Sequence, residues 1–193
     1  SATVRAWGSA TVRAWDSATV QASGSATVRA SKYVAIQVDR RRVDRRPTIN
    51  GGVLIEVPPI TTAAEWCEFY GLDIRDGAVT LFKAVDDDYA TWRSRDKGLF
   101  YRPGTAEIEA PDWDSEPECG SGIHLSPRPI MARAFAHNAT RYIACRVSLE
   151  DIVVHSPAEY PDKVKARRVG AIIEVDIDGK PLDAAMDPPD LGL

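Results

Sequence analysis

Four near-copies of one octad open the chain: SATVRAWG, SATVRAWD, SATVQASG and SATVRASK, beginning at Ser1, Ser9, Ser17 and Ser25. Within a copy, Ala2, Val4 and Ala6 fall on one side of an extended chain, and Ser1, Thr3, Arg5 and Trp7 fall on the other, the period-two pattern of a β-strand. The eighth position (Gly8, Asp16, Gly24, Lys32) is the place for a turn. One octad cannot bury its apolar side alone, whereas stacked copies can, so a short fixed period predicts a β-solenoid. YVAIQVDR continues the octad in degraded form, with Ile36 at the Val place and Gln37 at the Arg place. A turn-like INGG then leads to VLIEVPP, in which Val53, Ile55 and Val57 alternate with Leu54 and Glu56 as a closing strand. Residues 1–57 thus predict octad coils and a cap, with Ala/Val ladders inside and Thr and Arg/Gln ladders outside. The alternating eighth position favours two octads per coil. Trp7 and Trp15 are candidate stacking platforms, but Ser23 and Ser31 take their places later, which favours a self-associating or docking stem over a binding column. The chain begins without Met, inside a repeat, so a trimmed N-terminus with further repeats before it is expected.

At 193 residues the chain has room for a second unit. Residues 58–78 read as a helical linker: in TTAAEWCEFYGLD, Thr61 or Thr62 is a suitable N-cap, Glu65 completes a capping box with Thr62, and Gly71 stops the helix. Trp66, Phe69 and Tyr70 share one helical face and read as packing residues. Residues 79–181 then carry a strand AVTLFKAVD, a long polar loop from Trp92 to Gly122, a strand IHLS, a helix PRPIMARAFAHNA, and strands RYIACRVSLEDIVVH and RRVGAIIEVDIDG. The order is α+β, and the chain as a whole is β-rich. The Pro- and Asp-rich tail, 182–193, reads as extended.

The composition, 44% hydrophobic and 27% charged, is that of a globular protein. There is no apolar run of about 18 residues and no signal-like segment, which predicts no membrane association and a cytoplasmic location. Cys67, Cys119 and Cys145 are odd in number and widely spaced, as expected for reduced thiols. A net charge of −4 with pI near 5.4 carries no strong nucleic-acid signal. Two basic clusters stand out, Arg40, Arg41, Arg42, Arg45 and Arg46 in the first and Lys163, Lys165, Arg167 and Arg168 in the second. Each reads first as a solvated face or loop and second as a set of phosphate contacts. The acidic stretch Glu107, Glu109, Asp112, Asp114, Glu116 and Glu118 reads as a solvated lid.

CGSGIHLSPRP brings a Gly-rich turn, a short strand and a helix start together. Ser126 is a possible cap and Pro127 and Pro129 suit a first turn, so this is a place for an anion or a nucleotide phosphate. His124 is a candidate acid/base or stacking group, weighed against a partly buried structural histidine. Lys83 is a candidate for a phosphate or carboxylate contact, weighed against an exposed strand residue. Cys119 with His124 is a conceivable nucleophile pair. Adding Cys67, Cys145, His137 and His155 makes a zinc site only on paper, since no two ligands have metal-site spacing, and no metal is expected.

SGIHLSPRPIMARAFAHNATRYIACRV resembles the central segment of the ADP-ribosyltransferase fold, in which a Gly-aromatic-hydrophobic-Ser strand precedes an A..FA-type helix and another strand. LFKAVD is similar to that family's first strand, and KVKARRVGAIIEVDIDGKP to the end of its small rifamycin-modifying members. The likeness spans residues 79–181 and implies an α+β domain that binds NAD and transfers ADP-ribose. The family holds NAD with a His on the first strand and a Tyr on the second. Here those places carry Lys83 and His124, and Glu150, Asp151 and Asp162 remain open for the family's later acid. The resemblance implies a cofactor site at Lys83, Gly122, His124 and Ser126. The chain also resembles bacterial and phage proteins of uncharacterised function that carry SATVRAW-type octads before a similar C-terminal domain. The substituted His and Tyr favour the alternative of a non-catalytic binding or assembly protein whose octad stem self-associates or docks a partner.

Overall fold

The computed structural model describes residues 3–6, 8–16, 18–22, 24–39, 46–57, 60–136, 138–155, 160 and 162–183. Trp7, the arginines at 40–42 and 45, His137 and the tail from 184 onward lie outside the described residues. The chain divides into two units, Ser1–Ile60 with Ser156–Pro161, and Thr61–His155 with Asp162–Leu193.

In the first unit the octads become strands β1 (Thr3–Ala6), β2 (Thr11–Ala14), β3 (Thr19–Ala22), β4 (Thr27–Ala30), β5 (Ala35–Asp39), β6 (Thr48–Asn50) and β7 (Val53–Val57). They alternate between two parallel sheets, β1-β3-β5-β7 and β2-β4-β6. Val4 pairs with Val20 and Val12 with Val28, so strand neighbours are two octads apart. The degraded octad keeps this register, with Ile36 beside Val20 and Gln37 beside Gln21. Val20, Ala22, Val28, Val34 and Ile36 are buried between the sheets because every second residue points inward. Outside, the Gln21 amide donates to Gln37 Oε1 at 3.2 Å. The run DRRRVDRRP is inserted between β5 and β6. After β6 the chain reverses at Gly51, where φ is +82° and a Cβ would stand 2.2 Å from the Ala30 carbonyl oxygen, a position only glycine fits. The closing strand departs from its expected alternation. Val53, Leu54 and Ile55 all remain half-exposed, because β7 is the edge of its sheet.

The second unit begins with α1 (Ala63–Tyr70), whose start and stop follow the residue pattern. Thr62 and Glu65 form a reciprocal capping box, and Gly71 closes the helix in the left-handed conformation. Then come β8 (Ala78–Val85), α2 (Trp92–Asp96), β9 (Glu107–Glu109), β10 (Ile123–Leu125), α3 (Pro129–Arg133), β11 (Arg141–Ser148), β12 (Ile152–Val154), β13 (Val164–Ala166) and β14 (Arg168–Val175). The larger antiparallel sheet has the order β8-β11-β14-β9 and the smaller β10-β13-β12. Among the described residues no helix is long and apolar enough to cross a membrane.

Several expectations are revised. The long loop contains α2, capped reciprocally by Thr91 and Ser94, and β9, which takes the free edge of β14. The strand expected over 141–155 is broken by a 3-10 turn at Leu149–Asp151, which passes the chain from the larger sheet to the smaller. The helix expected after Ser126 shrinks to the five residues of α3. Its N-cap is Arg128, with no side-chain cap, and Pro129 sits in its first turn. Ser126 is instead a buried strand-like residue that exchanges two backbone hydrogen bonds with Phe82, of 2.9 and 2.8 Å, and so joins β10 to β8.

The smaller sheet is two-faced. Its rows Ile123–Ala166–Ile152 and Leu125–Val164–Val154 carry apolar side chains on one face. The row His124–Lys165–Val153 lies between them, so His124 and Lys165 point the other way, as do Lys163 and His155 two residues along their strands.

Candidate functional site

The polar face of the small sheet is a concentration of buried cationic and imidazole groups. Lys165 is fully buried, Lys163 is 8% exposed and Lys83, arriving from the centre of β8, is 9% exposed. Lys83 Nζ donates to the His124 carbonyl oxygen at 3.0 Å and lies 4.9 Å from the centre of the buried Tyr101 ring. Lys165 Nζ reaches Asp114 Oδ1 at 2.9 Å and Ser121 Oγ at 3.0 Å, under the Trp113 ring. Lys163 Nζ donates to Cys119 Sγ at 3.3 Å and lies over Phe135. Cys119 Sγ also stands 3.7 Å from His124 Nε2, and the His124 and His155 rings stack at 5.2 Å.

The covering segment Asp112–Gly122 overlaps the stretch Glu107–Glu118 expected to be a solvated lid. It is tethered: Asp112 pairs with Lys97 and accepts from the Gly122 N–H, while Asp114 pairs with Lys165. Gly122 has φ +76°, and a Cβ there would stand 3.1 Å from the Trp113 ring, so the glycine lets the indole close over the site.

The electrostatics follow from burial. Desolvation, aided by repulsion from Lys163 and Lys97, pushes the Lys83 ammonium down to about 8, against the opposing effect of Cys145. Burial, then Lys163, Lys83, His155 and Lys165, holds His124 down to about 2. His155 is held near 4 by burial and by Lys163 and Lys165, despite a hydrogen bond to the Pro117 backbone. Both imidazoles are therefore neutral at physiological pH. Lys165's hydrogen bond keeps the Asp114 carboxyl low. Lys97 pairs with Asp112 and Lys165 with Asp114. The partners described for Lys83, a carbonyl and a ring, carry no full negative charge. Removing an ammonium from water costs several kcal/mol unless it is paired, so this arrangement gains from an incoming anion.

Of the residues singled out by sequence, Lys83, His124, Ser126 and Gly122 meet at the junction of β8 and β10. The three acids are engaged or turned elsewhere. Asp151 is buried against the Arg168 guanidinium at 3.2 Å, Asp162 accepts from the Tyr70 hydroxyl at 2.5 Å, and Glu150 is exposed in the 3-10 turn. Lys163 and Lys165 were legible as members of a basic cluster, read first as a solvated face and second as phosphate contacts. The available signal was the alternation of Lys163, Val164, Lys165 and Ala166, a strand pattern whose polar side is here buried. Tyr101, Trp113 and His155 carried no local signal.

No family model matches this chain, and no match emerges among curated proteins or solved structures.

Proposed function

We propose that the second unit is an ADP-ribosyltransferase-like nucleotide-binding domain that holds the pyrophosphate of NAD against Lys83, Lys163 and Lys165. The observation carrying this reading is a set of three ammonium groups, each at least nine-tenths buried: Lys83 on β8, which donates to the His124 carbonyl, and Lys165 on β13 with Lys163 just before it, β13 being the strand paired with β10. The Lys83–His124 contact supports it further, since these residues stand where that family carries its first two NAD-holding residues. Neutral His124 and His155 present flat faces and nitrogen donors and acceptors without adding charge. If transfer occurs, the ribose–nicotinamide bond breaks with its electron pair leaving on nicotinamide, and an acceptor oxygen or nitrogen bonds the ribose carbon. Glu150, not engaged by Arg168 or Tyr70, is then the first acid to test.

Calorimetric titration with NAD, beside an assay for nicotinamide release, tests the reading. Binding that is lost in the Lys83→Ala, His124→Ala double variant supports it, and release that stops in Glu150→Gln extends it to transfer. If NAD neither binds nor is cleaved, the reading fails. A second reading, a β-solenoid stem that self-associates, is supported by the two-octad register and by the half-exposed Val53, Leu54 and Ile55 on the edge strand β7. Sedimentation of the full chain and of Leu54→Lys tests it, with assembly weakened by the charge.

A further inference from the structure

The whole-chain charge of −4 conceals a division. Residues 1–60 hold nine Lys and Arg against four Asp and Glu, a net +5, while the remainder hold fifteen against twenty-four, a net −9. On the sheet β2-β4-β6 two of these cations are neighbours: Arg13 and Arg29 pair in register on parallel strands, both exposed, with Thr11 beside Thr27 two residues earlier. Strand neighbours stand about 4.8 Å apart, so two like charges side by side repel each other, and an anion laid along them relieves that cost. Among the described residues no ion pair engages either arginine. An independent observation lies where these strands end. β2 runs into a turn in which the Ala18 N–H donates to the Trp15 carbonyl oxygen at 3.4 Å, and β4 into the matching turn sixteen residues later, in which the Val34 N–H donates to the Ser31 carbonyl oxygen at 3.1 Å. Each turn bears an open ring, Trp15 at 62% exposure and Tyr33 at 77%, with the Lys32 ammonium 5.5 Å from the Tyr33 ring centre. Ser31 stands in the octad place of Trp15, yet the same turn regains a ring two residues later at Tyr33.

We propose that the outer face of β2-β4-β6 and the turns that follow it dock single-stranded nucleic acid, with phosphates along Arg13, Arg29 and Lys32 and bases stacked on Trp15 and Tyr33. Cations alone suit any polyanion, and open rings alone suit many apolar groups. A strand with unpaired bases carries a charge at every nucleotide and a free π-face beside it, and so uses both features at once. A duplex keeps its bases stacked inside and leaves the rings unused. The inference uses neither the buried lysines of the second unit nor the edge strand β7, so it stands or falls apart from NAD binding and from self-association.

Fluorescence anisotropy of the full chain with a labelled oligothymidylate of about 16 nucleotides, followed across a salt series, tests it. The single strand is expected to bind at low salt, and a hairpin duplex of equal charge to bind more weakly. Arg13→Gln with Arg29→Gln should weaken binding about tenfold and lower the slope of log affinity against log salt by about 1.4, since each phosphate contact on a single strand contributes roughly 0.7. Trp15→Ala with Tyr33→Ala should weaken it about tenfold at an unchanged slope. All four side chains are exposed, so circular dichroism and melting of both double variants should match the parent. Should either variant misfold, the parent's preference for the single strand over the duplex and over heparin, a polyanion without bases, decides. No binding at low salt overturns the proposal. So does affinity that survives both double variants, which would assign it to the Arg40–Arg46 run, and so does heparin or duplex binding as tight as the single strand's, which would make the face a general polyanion surface.

Discussion

Lys83 Nζ donates to the carbonyl oxygen of His124 at 3.0 Å, a charged side chain from the end strand of the larger sheet closing on the backbone of the smaller. Lys83 is buried and its ammonium is held down to about 8, below its unfolded value. The unfolded chain therefore binds the extra proton, and stability contributed by this group rises as pH climbs from about 8 toward 10.5. At neutral pH the charged lysine costs stability, up to roughly 3 kcal/mol.

Lys83→Met should thus be stabilising at pH 7, by about 1–2 kcal/mol after loss of the hydrogen bond, while anion affinity disappears. Thermal unfolding at pH 7 and 10, with phosphate titrations, checks this: the gain should shrink at the higher pH. A variant that is destabilised at pH 7 would show that the carbonyl contact outweighs the buried charge.

His124 and His155 are neutral when folded, with values near 2 and 4, and near 6.5 when unfolded. Their contribution is complete above about pH 6.5 and is lost as pH falls toward those folded values, at up to about 1.4 kcal/mol per pH unit for each ring. Urea midpoints at pH 7, 5.5 and 4.5 should decline steeply, and His124→Gln should flatten the curve. An unchanged slope in that variant would count against its neutral burial.

Gly51→Ala should destabilise the first unit by more than the ~1 kcal/mol expected of a left-handed glycine alone, since its Cβ would meet the Ala30 carbonyl at 2.2 Å. Gly8→Ala is the comparison: its φ is also positive, yet nothing lies within 4 Å. Denaturation of both variants separates clash from backbone strain, and equal losses would contradict the crowding.

Thr62→Ala removes one half of the α1 capping box, the bond from the Glu65 N–H to the Thr62 hydroxyl oxygen, and leaves the Glu65 carboxylate accepting from the backbone N–H at position 62. A loss of about 1 kcal/mol is expected in chemical denaturation. Ser94→Ala should have a similar effect at α2, where Ser94 and Thr91 cap each other.

The local elements were legible where one short-range rule decided them. The octads carried their strand pattern, and the i, i+16 register of Val4 with Val20 agrees with two octads between strand neighbours. Thr62, Glu65 and Gly71 carried the bounds of α1. The candidate site was legible only in part. Lys83 and His124 stood out as polar residues within apolar strands, and Cys119 beside His124 was visible from five-residue spacing. The helix expected after Ser126 was overridden because Phe82 offered that residue a bridge between sheets.

By itself the sequence determined the alternation of β-strand faces, the turns and helix caps, and the supply of thiol, imidazole and ammonium groups, because each depends on residues within a few positions of one another. Only the tertiary structure decided that Lys163 and Lys165 are buried rather than solvated, that Asp112 and Asp114 tie down their loop, and that Asp151 and Asp162 are taken by Arg168 and Tyr70. Those outcomes depend on which strands become neighbours. The 3-10 turn at Leu149–Asp151 sends β12 to the smaller sheet, where β13 lies between β10 and β12, and so puts two lysines and two histidines from three separate segments on one covered face.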